Sequence, residues 1–338
     1  VASIPTFFVV PGSTVKRVVD QNRNRVFAAV VEAYRLHASG DTVNPDSYFL
    51  RYPDRPSARI IALPAHVGGA IQKSGIKWIS SFPENRAGNL ARASAVLILN
   101  DATTGYPLAC LEASLISATR TAASAALAAE HISPRPFEGT LSVIGTGLIA
   151  RATVDWLIFR NWKFQKVSLY DLDPGEAERF SNWLRTEHDL RAEIRDRVEH
   201  AVSGASLVLF TTTAPEPYIA DEKLFDHSPT ILHLSLRDIG VNVVLASQNV
   251  VDDVDHCLKA RTSLHLAEMA TGNRDFVSGT LVDVMDKRVK MDPGRTRIFS
   301  PFGLGVLDVA VGNLVFEAAL SSKAALAIPD FFSNSVRW

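Results

Sequence analysis

Six residues near the middle of the chain restrict its fold most: Gly145-Thr146-Gly147-Leu148-Ile149-Ala150. They follow an apolar, β-branched run at 140–144 and open a helix-compatible segment at 148–160. Strand, glycine loop and helix in that order match the G-x-G-x-x-G/A fingerprint. The first glycine allows a tight turn, the second lets backbone N–H groups approach a pyrophosphate, and the small Ala150 lets helix and strand pack closely. The N-terminus of the new helix adds a positive dipole end that favours anionic phosphate. A strand at 167–171, a helix at 174–187 and further buried-looking strands at 206–211, 230–234 and 249–251 continue the alternation, which predicts a doubly wound parallel sheet.

The first third reads differently. β-rich runs at 47–52, 58–63, 75–82, 95–99 and 107–111 are separated by turns rather than long helices, so they predict an antiparallel sheet. One helix, at 15–39 and ending at Gly40, should cover a face of it. An Ala-, Ser- and Thr-rich helix at 114–130 should link the two regions, and a helix at 305–320 should carry the chain back to the first. With 338 residues, 47% of them hydrophobic, two domains are expected: 1–118 with 320–338, and a Rossmann-type domain at 119–319. The fold class is therefore α/β, a Rossmann-type doubly wound parallel sheet plus a discontinuous α+β domain with an antiparallel sheet.

Charge and cysteine content exclude several classes of function. Lys+Arg 35 against Asp+Glu 36 gives a net charge of −1, without the basic excess of a nucleic-acid binder. No apolar run approaches the roughly 18 residues of a membrane span. The apolar residues 1–10 lack a basic leader and a cleavage pattern, and read as a strand. Cys110 and Cys257 are too few for a disulfide framework, fit a cytoplasmic setting and are expected in the core. The nine histidines form no H-E-x-x-H or closely spaced ligand set, so no metal is expected.

Within the parallel region, Gly145, Thr146, Gly147, Leu148 and Ile149 are the expected phosphate-loop contacts. Asp171 ends the next strand, where its carboxylate can accept hydrogen bonds from adenine ribose hydroxyls and repel a 2′-phosphate. Leu172 and Asp173 follow it rather than an arginine, so the expected cofactor is NAD. The turns at Thr212-Thr213 and Ser235-Leu236-Arg237-Asp238 should line the same crevice, although for the threonines capping or turn hydrogen bonds are an equal alternative. Asp238 is a candidate acid/base group, or else a cap or a partner of Arg237. Arg51, Lys77 and Arg120 each lie in or beside apolar segments. Converging on one cleft they would make a strong carboxylate receptor; singly, each could be an ordinary ion pair or an exposed strand residue.

Taken together, these residues resemble the ornithine cyclodeaminase/μ-crystallin family. The resemblance is carried by Gly75-Ile76-Lys77, Phe82-Pro83-Glu84-Asn85, Arg120-Thr121-Ala122-Ala123-Ser124, Gly145-Thr146-Gly147 and Asp238 after Leu234-Ser235, in that order. Within the family the chain is most similar to 2,3-diaminopropionate-forming dehydrogenases of siderophore and peptide-antibiotic pathways, the staphyloferrin B type. The segments 46–51, 58–65, 76–83, 249–256 and 272–276 carry that likeness. Such enzymes oxidise N-(2-amino-2-carboxyethyl)-L-glutamate with NAD. The resemblance implies that Arg51, Lys77 and Arg120 hold substrate carboxylates, that Asp238 and Lys77 serve catalysis, that Thr121 joins the cofactor contacts, and that the α+β domain binds substrate and pairs two subunits into a homodimer. Two departures argue against a cyclodeaminase: residues 60–64, Ile-Ile-Ala-Leu-Pro, offer no carboxylate for a second amine, and Asn242 stands where a lysine is usual. Ornithine cyclodeaminase, alanine dehydrogenase, ketimine reductase and a non-catalytic μ-crystallin-like binding protein remain the alternatives.

Overall fold

A computed structural model describes residues 4–332 and resolves them into two compact units, 4–120 with 304–332, and 121–303. The early strands are β1 (Phe7–Val10), β2 (Thr42–Val43), β3 (Tyr48–Tyr52), β4 (Arg55–Val67), β5 (Lys73–Ser81), β6 (Ala93–Asp101) and β7 (Pro107–Glu112). The expected helix at 15–39 is two helices, Gly12–Gln21 and Arg23–Ala38. The break falls at Asn22, whose side-chain amide donates to the Val18 carbonyl and whose backbone N–H donates to Val19. Val1–Ser3, part of the expected first strand, lie outside the described residues; β1 itself begins at Phe7.

The second unit holds β8 (Glu138–Ile144), β9 (Lys163–Tyr170), β10 (Ala192–Ile194), β11 (Leu207–Phe210), β12 (Thr230–His233), β13 (Gln248–Val251), β14 (Val277–Thr280) and β15 (Arg297–Phe299). They form one sheet in the order β10-β9-β8-β11-β12-β15-β13-β14, and every pairing is parallel. β9 and β10 lie to one side of β8 and β11 to the other, so the winding reverses at β8/β11. Ligands of such sheets bind at the carboxyl ends of the strands flanking that reversal. β11 is a continuous apolar run, and β8 from Leu141 onward and all of β12 are buried, as strands covered on both faces must be.

After β15 the chain enters helix Gly305–Ser321, which packs on β4, β5 and β6, and ends the described chain with β16 (Leu326–Ile328). The first sheet runs β16-β1-β7-β6-β5-β4-β2, with β3 also on β4; its pairings are antiparallel except β1 with β7. The chain therefore returns to the first unit at Leu304, not after residue 319, and it leaves at Arg120 rather than 118. The reason is burial: every residue from Gly305 to Phe316 is buried, and the helix takes its contacts from the antiparallel sheet. No helix among the described residues is long and apolar enough to cross a membrane.

Candidate active site

The glycine loop sits at the winding reversal. Gly145 has φ +83°, and a Cβ there would lie 3.0 Å from the Thr211 backbone, so both the turn and the strand contact require glycine. The Thr211 hydroxyl donates to the Gly145 carbonyl at 2.6 Å, tying β11 to the loop. Gly147 is the N-cap of helix Leu148–Phe159, with no side chain capping it and nothing within 4 Å of where its Cβ would be. Open space and uncapped helical N–H groups are what a pyrophosphate needs, so these residues fit NAD. Leu148 is exposed and Ile149 half-buried.

Asp171 has a second task that sequence spacing does not show. Its Oδ2 accepts the Thr146 N–H at 2.7 Å and the Thr146 hydroxyl at 2.9 Å, and its Oδ1 accepts the Asp173 N–H at 3.0 Å. A carboxylate has about four acceptor positions, so two clasp the loop, one takes the Asp173 N–H and one is open to a further donor such as a ribose hydroxyl. Thr213 is exposed and Thr121 half-buried.

Asp238 lies in the turn after β12 and is fully buried. Its Oδ1 accepts the hydroxyls of Thr212 and, at 2.8 Å, Tyr218; its Oδ2 accepts the Ser235 hydroxyl. His233 Nε2 lies 3.3 Å from Oδ2 and 3.2 Å from the Asp238 backbone nitrogen, while its Nδ1 meets the Ser300 hydroxyl at 3.1 Å. Burial pushes the Asp238 carboxyl up, but His233 and the hydroxyls of Ser235 and Thr212 outweigh it and hold the group below the ordinary aspartate range. Burial and the Asp238 charge push the Tyr218 phenol up, so it stays protonated and donating. Leu236, between Ser235 and Asp238, takes φ +74°, a strained conformation for leucine that the surrounding hydrogen bonds must hold. Thr212 and Ser235 thus bind the carboxylate, and Arg237 bonds the carbonyls of Ala260 and Arg261 rather than Asp238.

The first unit holds a separate charged cluster. Lys77 stands in a cross-strand row with Leu63, Leu97 and Leu111 and is 2% exposed. Its Nζ donates to Asp308 Oδ2 at 2.6 Å and to the Ser117 hydroxyl at 3.0 Å. Arg120 Nε donates to the other oxygen, Asp308 Oδ1, at 3.1 Å. Helix Ser114–Ile132 presents Ser117 and Arg120 one turn apart, on one face. Burial lowers the Lys77 pKa to about 8; Asp308 opposes the shift and Arg120 adds to it. Two cations and one anion leave a net charge of +1 (2 − 1) in a buried place, which suits an anionic ligand.

Arg51 does not join this cluster. It is exposed on β3 and lies across from Arg59, which lies across from Ser81, four residues along β5 from Lys77. At roughly 3.3 Å per residue that is about 13 Å of strand, besides the two intervening strand spacings. Its guanidinium lies over the Phe49 ring instead, 4.9 Å from the centroid. The structure therefore brings Lys77 and Arg120 together and leaves Arg51 apart. Asp308, Ser117, Tyr218 and His233 were missed by sequence reasoning. A lone carboxylate in an apolar helix and a lone histidine in an apolar strand were the visible signs of Asp308 and His233; Tyr218 and Ser117 gave none. Cys257 is in the core, whereas Cys110 is half-buried.

Residues 13–323 match the ornithine cyclodeaminase/mu-crystallin family. The N-((2S)-2-amino-2-carboxyethyl)-L-glutamate dehydrogenase of Staphylococcus aureus is 30% identical over 308 residues, 88% of this chain and 91% of that protein. The Delta(1)-pyrroline-2-carboxylate reductase of Thermococcus litoralis, solved with NADH and L-proline, is 21% identical with a TM-score of 0.86, covering 95% of this chain and 99% of that one. An archaeal alanine dehydrogenase dimer with bound NAD is 23% identical with a TM-score of 0.84, covering 96% and 99%. The chain belongs to the ornithine cyclodeaminase/mu-crystallin family.

Proposed function

We propose that the protein is an NAD-dependent dehydrogenase that oxidises the glutamate Cα–N bond of N-(2-amino-2-carboxyethyl)-L-glutamate and, with one water, releases L-2,3-diaminopropionate and 2-oxoglutarate. The product would serve siderophore or peptide-antibiotic assembly. The observation that carries the reading is the buried Lys77–Asp308–Arg120 cluster with its net positive charge, a receptor for an amino-acid carboxylate. The choice among amino acids rests on the 30% identity to the staphylococcal dehydrogenase and on the apolar residues 60–64.

Residues 145–149 and Asp171 would hold NAD, which when bound would supply the acceptor for the Cα hydride. Lys77 and Arg120 bind the carboxylate of the carbon to be oxidised and fix its orientation, which is where most of the rate advantage of a positioned substrate arises. Asp238 takes a proton from the secondary amine or from water, with Tyr218, Thr212 and Ser235 as the hydroxyls through which its charge is felt. Hydrolysis of the resulting ketimine needs a base for water, a role for Asp238 or for neutral Lys77. The products carry every atom of substrate plus water, less the hydride and one proton.

The outer face of the antiparallel sheet supports a homodimer. Tyr48, Ala62, Trp78 and Val96 form one cross-strand row on the face opposite Lys77, and Tyr48, Leu50, Trp78 and Val96 are exposed. A second reading is a one-carboxylate substrate such as alanine or a cyclic imino acid, favoured by the single net charge of the cluster and by the separation of Arg51.

NADH absorbance during incubation with NAD and N-(2-amino-2-carboxyethyl)-L-glutamate, with products identified by mass spectrometry, tests the proposal. Equimolar NADH, 2,3-diaminopropionate and 2-oxoglutarate are expected. Proline from ornithine without net NADH, or NADH from alanine alone, would overturn it in favour of the corresponding relative.

A further inference from the structure

Asp308 is the one formal charge among residues Gly305 to Phe316, all of them buried. A helix that only had to cover a sheet would be at least as stable with leucine there, because buried ion pairs seldom outdo apolar packing. Yet three charges from three segments, β5, helix Ser114–Ile132 and helix Gly305–Ser321, are sealed together, and each Asp308 oxygen serves a different cation. Arg120 gives its Nε to Asp308, which leaves the two amino groups at the end of the guanidinium for a ligand.

We propose that Asp308 is a positioning residue for carboxylate recognition: it holds the Lys77 ammonium and the Arg120 guanidinium side by side so that the pair receives a single substrate carboxylate. The inference rests on the reading of Lys77 and Arg120 as the carboxylate receptor. The charged groups that meet Lys77 are Asp308 and Arg120, and Ser117 is its neutral partner. Without the aspartate, burial and the neighbouring Arg120 would both act against the ammonium, and Lys77 would give up its proton at a lower pH. Asp308 also sets the charge count: with it both cations stay protonated and the cluster, at a net +1, matches one carboxylate.

The test is a titration of the Lys77 side chain, followed by NMR on lysine-labelled protein and assigned with Lys77→Met, in the absence of substrate. In the wild type, Lys77 should titrate below the exposed lysines, and in Asp308→Asn lower still. Asp308→Glu should restore the midpoint because it keeps the charge. In turnover assays Asp308→Asn should raise the KM for the amino-acid substrate about tenfold or more while kcat changes far less, as for loss of ground-state binding. An Asp308→Asn midpoint equal to that of the wild type, or an unchanged KM, would overturn the proposal. Should Asp308→Asn not fold, the wild type decides: 2-oxoglutarate should raise the Lys77 midpoint by adding a second negative neighbour, and a bound 2-oxoglutarate that leaves it unmoved overturns the inference. No binding of 2-oxoglutarate would count against the proposed reaction instead, and the Asp308→Glu midpoint, expected at the wild-type value, would still judge Asp308.

Discussion

At the scale of the residue, Asp238 is a carboxylate enclosed by donors. Replacing it with asparagine removes the charge and puts an amide N–H₂ where hydroxyl donors now point, leaving donors facing donors. Asp238→Asn should lower turnover by about 10²–10⁴, the usual worth of a positioned acid/base group, while NAD titration stays close to wild type. A variant with full turnover would remove Asp238 from the chemistry. Lys77 gives a prediction with two opposite signs. Its folded pKa of about 8 lies below the ordinary 10.5, so between those values the unfolded chain binds more protons and this group's contribution to stability rises with pH. Over the same range the ammonium is lost, so KM should climb about tenfold per pH unit above about 8. The comparison with Lys77→Met in urea titrations at pH 7 and pH 9.5 isolates the stability part, and KM against pH reads the other. The glycines of the loop were legible in the sequence because Gly145 must take a positive φ against the Thr211 backbone and Gly147 leaves open the space that a pyrophosphate needs at the start of the helix. The partner of Lys77 was not, because Asp308 is 231 positions away and only the folded sheet and helix bring them together. Arg51 and Arg120 looked alike as cations in apolar segments; strand register, which sequence does not display, separates them.

At the scale of the element, the alternation of strands and helices at 140–187 was legible because each piece has its own period and its own glycine or proline boundary. The two helices at Gly12–Gln21 and Arg23–Ala38 were not distinguishable, since no glycine or proline marks Asn22. The returning helix at 305–320 was legible, but its place inside the first unit from Leu304 on was not, because an apolar helix reads the same whichever sheet it covers. Gly75 shows what close strand pairing beneath that helix demands. A Cβ at Gly75 would lie 2.5 Å from the Ile98 carbonyl oxygen and 3.4 Å from Val309 Cγ2 on helix Gly305–Ser321. The first of these is backbone of a paired strand and cannot turn aside. Gly75→Ala should therefore destabilise the first unit by about 1–3 kcal/mol, the usual cost of overpacking. A lower urea midpoint with unchanged NAD affinity is expected, since the glycine loop belongs to the other unit; an unchanged midpoint would show that the strands can part there.

At the scale of the whole molecule, the antiparallel sheet has one covered face and one bare one. Strand alternation sends Leu63, Lys77, Leu97 and Leu111 toward the helices, and it sends Tyr48, Ala62, Trp78 and Val96 the other way. On the bare face Tyr48 is 73% exposed and Trp78 41%, and contiguous apolar surface of this kind marks an interface more often than a free surface. The patch spans adjacent strands, and a two-fold axis through it would place the same side chains from two copies against each other, the arrangement of most homodimers. Aromatic residues near the centre of such a patch carry most of the association energy. Sedimentation velocity should therefore give a particle of twice 36.8 kDa for the wild type and a monomer for Trp78→Lys combined with Val96→Asp. Both substitutions are on exposed positions, so the variant should keep its NAD affinity, which separates loss of pairing from loss of fold. A wild type that sediments at 36.8 kDa, or a doubly charged variant that still pairs, would move the interface to another surface.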